Sequence, residues 1–248
     1  MSLLDVEALT VHARDETTLL DAVSLSIEPE ATVLLAGPSG SGKTLLGKAV
    51  AGLLSQVSTV SMDGAVHRKG TVGMLFQDPR TQLVRERVRS DVAFGLENRG
   101  VPPASIHERI ERWADRLDAT HLLDRQVSEL SRGETTLVAL LGTLVTEPDL
   151  VVLDEPLAAL DARNRQLVLD AIEELHGETA LLVAEHDTTA LLEIADRAVL
   201  LENGAIQEAG APRTVVNSMW EAGVGIPFGT AVALSRGEST GSVPLSGG

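Results

Sequence analysis

The apolar residues of the chain follow two spacings, one typical of strands and one typical of helices. Over residues 1–30 the segments VEALTV and LLDAVSLSIEP alternate apolar and polar residues, which predicts antiparallel strands. Three nearly continuous apolar runs, ATVLLAG at 31–37, DLVVLDEP at 149–156 and TALLVAEHD at 179–187, predict buried strands, each followed by a helix-like stretch. A further strand region contains a turn, which we predict at Met62-Asp63-Gly64. Strand, helix and strand in succession predict an α/β fold with a parallel-sheet core.

The middle and the end of the chain depart from this succession. From about residue 82 to residue 146 the apolar spacing is helical, which indicates a helical insertion. From about Ser218 onward the chain is rich in glycine, serine and proline. We therefore predict one domain over residues 1–217, with a helical subdomain at about 80–146, and a short, partly flexible extension over 218–248.

Charge and composition narrow the class of protein. The chain has 36 acidic and 20 basic residues, a net charge of −16, and only three lysines. This charge argues against binding to nucleic acid or to an anionic membrane surface. It is expected of a protein in a salt-rich cytoplasm, where self-repulsion is screened, and we favour this interpretation over the plainer one of an ordinary acidic soluble protein. The absence of cysteine excludes disulfides and thiolate metal sites. The chain contains no run of about 18 apolar residues, so we predict no transmembrane helix. The N-terminus lacks the basic residues that begin a signal peptide.

A glycine-rich segment between a predicted strand and a predicted helix matches the pattern of a phosphate-binding loop. The segment is Gly37-Pro38-Ser39-Gly40-Ser41-Gly42-Lys43-Thr44. Its glycines let backbone N–H groups face an anion at the helix N-terminus. Lys43 is then placed to reach the β- and γ-phosphates of a nucleotide, and the Thr44 hydroxyl to bind Mg²⁺. The segment predicts a nucleotide site.

Four polar residues follow the predicted strands. Asp154 ends an apolar strand, where it can hold Mg²⁺ directly or through water, and Glu155 is placed to act as general base. Taken alone, such an acidic pair is more typical of a helix cap. Gln77 could contact Mg²⁺ and the attacking water, and His186 could hydrogen-bond the γ-phosphate. Each is weak evidence by itself, so the four are informative only together with the phosphate loop.

The pentapeptide LSRGE occurs at 130–134 and again at 234–238. In the first copy Ser131 and Glu134 fit a capping box before an apolar run, whereas the second copy precedes no apolar helix or strand. In order, GPSGSGKT, the Gln of FQDP, the first LSRGE, LVVLDEP, the AALD of 158–161 and the His of AEHD resemble an ABC-transporter ATP-binding subunit. The resemblance covers roughly residues 1–215.

The resemblance implies a fold and a mechanism. The fold is that of an ABC-type P-loop ATPase, with a RecA-like parallel-sheet core, an N-terminal antiparallel β subdomain and an inserted helical subdomain. In that family two domains pair head to tail, and ATP with Mg²⁺ lies between the phosphate loop of one and the LSRGE-like signature segment of the other. The first LSRGE is then the signature segment, and the second is the end of a helix. The residues implied in contact with the partner's ATP are Ser131, Arg132, Gly133 and Glu134, with Asp161 linking the two sites.

The chain departs from the family pattern at two places. Arg132 and Glu134 stand where the family has glycine and glutamine, while Gly133 keeps close backbone approach to phosphate possible. The family also stacks an aromatic residue, usually tyrosine, on adenine. This chain has no tyrosine and offers only His-Ala-Arg at 12–14, so we expect weaker adenine packing.

The segment FQDPRTQLVRERVRSDVAFGLENRGVP, which begins at Phe76, resembles the energy-coupling-factor group of cobalt, nickel and biotin uptake ATPases. In that group this face of the helical subdomain receives the coupling helices of a membrane subunit, although an ordinary amphipathic helix with Phe94 packed inside is the plainer interpretation. The resemblance implies the motor of an importer of a transition metal ion or a vitamin, peripheral on the cytoplasmic face of the membrane. Its implied partners are a second ABC ATPase subunit, identical or different, a transmembrane coupling subunit and a substrate-binding membrane protein, with no nucleic acid. The matching residues are Gln77, Gln82, Asp91, Val92, Ala93, Phe94, Gly95, Asn98 and Gly100.

Two other kinds of ABC protein are alternatives. A soluble, non-transport ATPase such as an iron–sulfur assembly factor stays open. A chromosome or DNA-repair ATPase of the SMC type is disfavoured because Ser131 lies only 88 positions after Lys43, with no sustained heptads between them. The transported substrate stays open between metal and vitamin.

Overall fold

The computed structural model, which describes residues 2–54, 59–237 and 245, contains two sheets. The smaller one is built from β1 (Leu4–Ala13), β2 (Thr18–Ile27) and β4 (Val60–Arg68). Both neighbours of β1 run antiparallel to it, in the order β2-β1-β4. The prediction of antiparallel strands near the N-terminus is confirmed.

The larger sheet carries the buried apolar runs. Its strands are β3 (Thr32–Ala36), β5 (Val72–Leu75), β6 (Leu150–Asp154), β7 (Ala180–Glu185), β8 (Arg197–Glu202) and β9 (Ala205–Gly210). The order is β5-β6-β7-β3-β8-β9, parallel except for the final hairpin of β8 and β9. Since the carboxyl ends of parallel strands share one edge, the residues that follow β3, β5, β6 and β7 lie close together.

Seven helices complete the described chain. They are α1 (Lys43–Val50), α2 (Val88–Asn98), α3 (Pro103–Arg116), α4 (Arg132–Leu144), α5 (Ala162–Leu175), α6 (Pro212–Glu221) and α7 (Phe228–Ser235). Short 3₁₀ segments lie at Pro79–Gln82, Thr120–Leu122 and Val127–Glu129. Helices α2, α3 and α4 fall within the predicted helical insertion. In the part of the chain described, no helix combines the length and the apolar character needed to span a bilayer.

Strand β3 separates two apolar clusters. Val33 and Leu35 pack on the side of α1 and the antiparallel sheet, while Leu34 and Ala36 pack on the side of α4, α5 and α6. The alternation follows from the period of two in a strand, which sends successive side chains to opposite faces. The larger sheet is therefore covered on both faces.

The predicted turn at Met62-Asp63-Gly64 is wrong. These residues lie inside β4, whose register with β1 shifts between Glu7 and Thr10. Gly64 has a φ of 90°, and a Cβ there would lie 2.5 Å from the carbonyl oxygen of Ala8. The glycine marks a β-bulge at which two backbones approach closely, rather than a chain reversal.

The helix-like stretch predicted after β7 is also wrong. Residues 189–194 form consecutive turns. The segment starts only after Thr188, whose backbone N–H bonds to Gly225, and it must reach Asp196 at the entrance to β8. Six residues give fewer than about two turns of α-helix, so no regular helix develops.

The extension that we predicted to begin at residue 218 is packed on the main core where it is described. Helix α6 spans the predicted boundary between 217 and 218. Val224, Ile226 and Ala233 are buried, and the first two belong to the same cluster as the sheet. The rest of the predicted flexible tail, 238–244 and 246–248, lies outside the described residues.

Charge is divided unevenly between the helical subdomain and the rest. Residues 80–146 contain ten basic and ten acidic residues, which leaves ten basic and twenty-six acidic residues elsewhere. The entire net charge of −16 therefore lies outside the helical subdomain.

Candidate functional site

The phosphate loop lies between β3 and α1, as the sequence predicts. Gly42 precedes the first residue of α1 with a φ of 106°, a left-handed conformation that favours glycine. The backbone of Gly37 approaches the carbonyl oxygen of Leu201 so closely that no side chain fits between them. The loop is thus held against β8 by backbone geometry.

Lys43 points back into the loop. Its Nζ donates hydrogen bonds to the carbonyl oxygens of Gly37 at 2.7 Å and Pro38 at 3.1 Å, and the residue is 4% exposed. Burial lowers the pKa of Lys43, while the nearby carboxylates of Glu155 and Asp154 oppose that shift. A cation in this position is available to an anion bound at the loop.

Thr44 and Asp154 form the first of two hydrogen-bonded pairs. The Thr44 hydroxyl donates to Asp154 Oδ1 at 3.0 Å, and Asp154 is 2% exposed. Burial raises the pKa of the Asp154 carboxyl, and the bond from Thr44 acts in the opposite direction. Buried oxygen donors of this kind suit Mg²⁺, which prefers carboxylate, hydroxyl and water oxygens.

Gln77 and Glu155 form the second pair. Gln77 Nε2 donates to Glu155 Oε2 at 2.8 Å, so the ends of β5 and β6 are joined by side chains. Glu155 has a φ of 49°, and its backbone N–H donates to the carbonyl oxygen of Ala184 at 2.9 Å. A cavity of about 420 Å³ brings together the loop, Thr44 of the first pair and both members of the second pair. It is lined by Leu19, Ser39, Gly40, Gly42, Lys43, Thr44, Leu45, Lys48, Gln77 and Glu155.

The cavity includes three residues that the sequence interpretation missed: Lys48, Leu19 and Leu45. Lys48 lines it, and its charge opposes the rise in the pKa of Asp154 that burial causes. Leu19 lines it from β2. A signal for Lys48 was present, because it is one of only three lysines and lies five positions after Lys43. No sequence signal marks Leu19.

His186 lies at the predicted edge, directly after β7, but it does not line this cavity. Its side chain is half-exposed, and Nδ1 lies 3.8 Å from the Glu185 carboxylate. Glu185, which the sequence interpretation also missed, is 1% exposed and accepts a hydrogen bond from Leu157 N at 3.0 Å. Burial raises the pKa of Glu185 to about 7.

The signature segment begins α4 with the predicted capping box. Ser131 Oγ accepts from Glu134 N at 3.2 Å, and the Glu134 carboxylate accepts from Ser131 N at 2.7 Å. Glu134 also pairs with Arg125 at 2.6 Å. Gly133 lies against the side chain of Asn164, where a Cβ would overlap it.

Within one chain the signature segment lies apart from the phosphate cavity. Arg132 lines a different cavity of about 450 Å³, and Gln77 borders both. Asp161 caps α5, accepting from Asn164 N at 2.9 Å. The structure therefore unites Lys43, Thr44, Glu155 and Gln77 with the loop residues Ser39, Gly40 and Gly42 around one cavity, and Asp154 is hydrogen-bonded to Thr44. The signature segment, Asp161 and His186 do not line that cavity.

The second LSRGE is a helix end. Leu234 and Ser235 close α7, Arg236 is its C-cap, and Gly237 has a φ of 73°. Glu238 lies outside the described residues. The described part matches the predicted helix terminus.

The His-Ala-Arg segment at 12–14 lines a separate depression of about 600 Å³, together with Glu16 and residues 59–61. His12 Nδ1 lies 3.2 Å from the hydroxyl of Thr18. None of these residues lines the phosphate cavity.

Comparison with known proteins identifies the family of the chain. The family model for ABC transporters matches residues 20–158. A Halobacterium salinarum protein described as an ABC transporter ATP-binding protein is 40% identical over 228 residues, 88% of this chain and 97% of that protein. The energy-coupling factor transporter ATP-binding protein EcfA of Pediococcus pentosaceus is 33% identical over 228 residues, 87% of this chain and 81% of that protein.

A solved structure shows the same fold. CbiO1 from Clostridium perfringens, described as part of the ABC transporter complex CbiONQ, superposes with a TM-score of 0.76 at 27% identity. The match covers 87% of this chain and 90% of that one. The chain therefore belongs to the ABC transporter family, as a nucleotide-binding ABC ATPase that resembles the energy-coupling-factor ATP-binding subunits.

Proposed function

We propose that this chain is the ATP-hydrolysing motor subunit of an energy-coupling-factor-type importer of a transition metal ion or a vitamin. One observation carries the catalytic part of the proposal: Thr44, which is hydrogen-bonded to Asp154, lines one cavity together with Lys43 and the pair Gln77–Glu155. The names of the EcfA and CbiO relatives support the importer type. They do not favour the soluble iron–sulfur alternative.

The residues of the cavity suit hydrolysis of the terminal phosphate of ATP. Water attacks the γ-phosphorus, the bond between that phosphorus and the β,γ-bridging oxygen breaks, and the water's proton passes to the Glu155 carboxylate. Gln77, which is hydrogen-bonded to Glu155, orients the water, and Lys43 offsets charge on the phosphates. Thr44, Asp154 and Gln77 would hold Mg²⁺, whose charge further neutralises the phosphates when it is bound.

Two side chains connect the ATP site to the helical subdomain. Gln82 accepts from Phe76 N at 2.7 Å and donates to the carbonyl oxygen of Met74 at 2.9 Å, so it fixes the strand end that presents Gln77. Asp91, in the first turn of α2, accepts from the backbone N–H of residues 84 and 85 at 2.7 and 2.8 Å. These contacts support transmission of the state of Gln77 to α2, the face proposed to meet the coupling helices.

A second ABC ATPase subunit completes the proposed assembly. The signature segment has no contact with the phosphate cavity of its own chain, which is the arrangement required if it serves the ATP of a partner. Ser131, Gly133 and the N-terminus of α4 would then stabilise the γ-phosphate of that ATP. The other proposed partners are a transmembrane coupling subunit and a substrate-binding membrane protein, with this chain peripheral on the cytoplasmic face.

The role of Glu155 is tested by Glu155→Gln. The amide keeps the shape and the contact with Gln77 but cannot accept the proton, so we expect ATP binding to persist, turnover to fall at least about a hundredfold, and an ATP-bound dimer to accumulate. Turnover and binding are measured with radiolabelled ATP, and the dimer by light scattering. Glu173→Gln, at an exposed carboxyl on α5, is the matched control. Wild-type turnover in Glu155→Gln would refute the assigned general base.

The importer type is tested by isolating the chain in detergent together with the membrane proteins encoded beside its gene. We expect a stable complex with a transmembrane coupling subunit, and stimulation of ATP hydrolysis when the substrate-binding membrane protein is added. Isolation with iron–sulfur assembly proteins instead would overturn the importer type while leaving the ATPase assignment in place.

A further inference from the structure

The residues around His186 are hydrogen-bonded to the C-terminal extension. Gly225 N donates to the carbonyl oxygen of His186 at 2.9 Å, and Thr188 N donates to the carbonyl oxygen of Gly225 at 2.7 Å. The Thr188 hydroxyl donates to the same oxygen at 2.8 Å. Asp187 and Gly225 form a bridge in parallel register, so a residue more than thirty positions downstream acts as one more strand position beside the end of β7.

The contact is tight and buried. Thr188 is fully buried, and a Cβ at Gly225 would lie 3.0 Å from Asp187 Oδ1 and 3.1 Å from its Cα. Val224 and Ile226, on either side of Gly225, are 2% and 8% exposed and belong to the main apolar cluster. The segment Val224–Ile226 is therefore anchored in the core and presents only its backbone to Asp187.

On their other side, residues 186–188 face α5. Asp187 Oδ2 lies 3.5 Å from Arg165, and Asp187 Oδ1 accepts from Thr189 N at 3.1 Å. Residues 186–188 are thus held between α5, which begins after Asp161, and the extension.

The backbone of residues 186–188 is held by hydrogen bonds, but the imidazole ring of His186 is not restrained in this way. Within the described residues its ring makes no hydrogen bond, and the nearest charged group is the Glu185 carboxylate at 3.8 Å. Backbone contacts at 186–188 therefore decide where the ring points.

We infer that Val224–Ile226 is a positioning segment for His186, through which the C-terminal extension takes part in ATP hydrolysis. Gly225 and Thr188 are its positioning residues, since they contact the segment that carries His186 and not the nucleotide. The inference rests on the proposed function and on the hydrogen bond to the γ-phosphate that the sequence analysis predicts for His186.

The test uses the full chain in single-turnover and steady-state ATPase assays. In Gly225→Ala the added Cβ meets Asp187, so we expect kcat to fall roughly three- to tenfold, an effect of about 1 kcal/mol on the barrier, with the KM for ATP unchanged. Thr188→Val, which keeps the shape and removes the hydroxyl, is expected to lower kcat in the same way, and Thr188→Ser to restore it. Met219→Ala, which removes a fully buried side chain from α6, is the control for instability of the extension and is expected to lower Tm without this change in kcat.

The deciding measurement combines the variants with His186→Ala. If Gly225 acts through His186, Gly225→Ala has no further effect on single-turnover rate in the His186→Ala background. Equal losses in both backgrounds, or an unchanged kcat in Gly225→Ala, would overturn the inference. If Gly225→Ala fails to fold, the Thr188→Val and Thr188→Ser pair decides in the same backgrounds. A wild-type chain without ATPase activity would contradict the proposed function instead, so the two failures are distinguishable.

Discussion

At the scale of single residues, Glu155 shows how the site is fixed by backbone as well as by side chains. Its φ of 49° is in the left-handed region, which costs a non-glycine residue on the order of 1–3 kcal/mol. The bond from Glu155 N to Ala184 and the side-chain bond from Gln77 hold it there. Glu155 is thus positioned by a backbone contact with β7 and a side-chain contact with β5, and only the backbone contact is independent of its own side chain.

Glu185 gives the protein a pH-dependent stability. Its pKa is about 7 in the folded chain because it is buried, compared with an ordinary value of 4.5. Between these values the folded state holds a proton that the unfolded state has lost, so the free energy of unfolding falls as pH rises from about 4.5 to 7, by at most about 1.4 kcal/mol per pH unit from this group.

Comparison with Glu185→Gln isolates this contribution. The amide can still accept from Leu157 N but cannot ionise, so the variant should lose the decline between pH 5 and pH 7.5 and gain stability relative to wild type as pH rises. Urea unfolding at half-unit pH steps measures the difference. Parallel curves for the two proteins would contradict a raised pKa at Glu185.

The sequence predicts the central residues of the site but not those that hold them. Lys43 and Thr44 begin the helix after β3, and Asp154 ends β6, as pattern and spacing predicted, and Thr44 is hydrogen-bonded to Asp154. Glu185 and Gly225 act through burial and close approach, which depend on residues far away in sequence. Gly225 lies in a glycine-rich segment, so the neighbouring sequence does not indicate that it packs against Asp187.

At the scale of elements, the two copies of LSRGE show that position on a helix decides what a segment can do. The first copy starts α4, where unpaired backbone N–H groups and the helix dipole favour an anion. The second copy ends α7, where carbonyl groups face outward and an anion is disfavoured. The same residues Leu-Ser-Arg-Gly therefore meet opposite local electrostatics in the two copies.

Ser131→Arg and Ser235→Arg test this distinction. We expect Ser131→Arg to lower ATPase activity at least roughly tenfold, because it removes a charge-assisted hydrogen bond to phosphate worth about 1.5–3 kcal/mol. It also removes the cap on α4, at a cost of about 1 kcal/mol. Ser131→Asn keeps a cap and separates the two effects. Equal loss of activity in Ser131→Arg and Ser235→Arg would make the assignment of the first copy wrong.

The elements themselves were predictable where burial was uniform. The apolar runs at β3, β6 and β7 are completely buried on both faces, so composition alone identified them. The wrong predictions concern segments whose structure depends on residues distant in sequence. Gly64 lies at a β-bulge against Ala8, and residues 189–194 are too few to form a helix between two fixed ends. The packing of α6 and α7 on the core was missed because the glycine, serine and proline content from Ser218 onward was taken to indicate a flexible extension, although α7 itself is rich in apolar residues.

At the scale of the whole molecule, the division of charge bears on assembly. In a head-to-tail pair, the neutral helical subdomain of one subunit would face the core of the other, which has an excess of sixteen acids. This arrangement lessens the electrostatic repulsion between the two subunits but does not remove it. Screening shortens from about 10 Å at 0.1 M salt to about 3 Å at 1 M.

We therefore expect Tm, ATP-driven dimerisation and ATPase rate all to increase between 0.1 M and 1 M KCl. Exposed ion pairs such as Arg116–Glu178, at 2.8 Å, weaken over the same range, but each contributes little. Calorimetry, light scattering and phosphate release measure the three quantities. A flat or falling response in Tm and ATPase rate would remove the interpretation as a salt-adapted protein without affecting the ATPase assignment.

The order of strands in the larger sheet has a consequence for the time at which the protein becomes functional during synthesis. β3, which carries the phosphate loop, lies between β7 and β8, whose residues follow it by about 145 positions or more. At about 5–20 residues per second, a ribosome needs on the order of 7–30 s to make the strands that flank β3. A nascent or prematurely ended chain thus contains the loop sequence but lacks the strands that flank β3. Nucleotide binding is therefore confined to chains whose translation has passed β8.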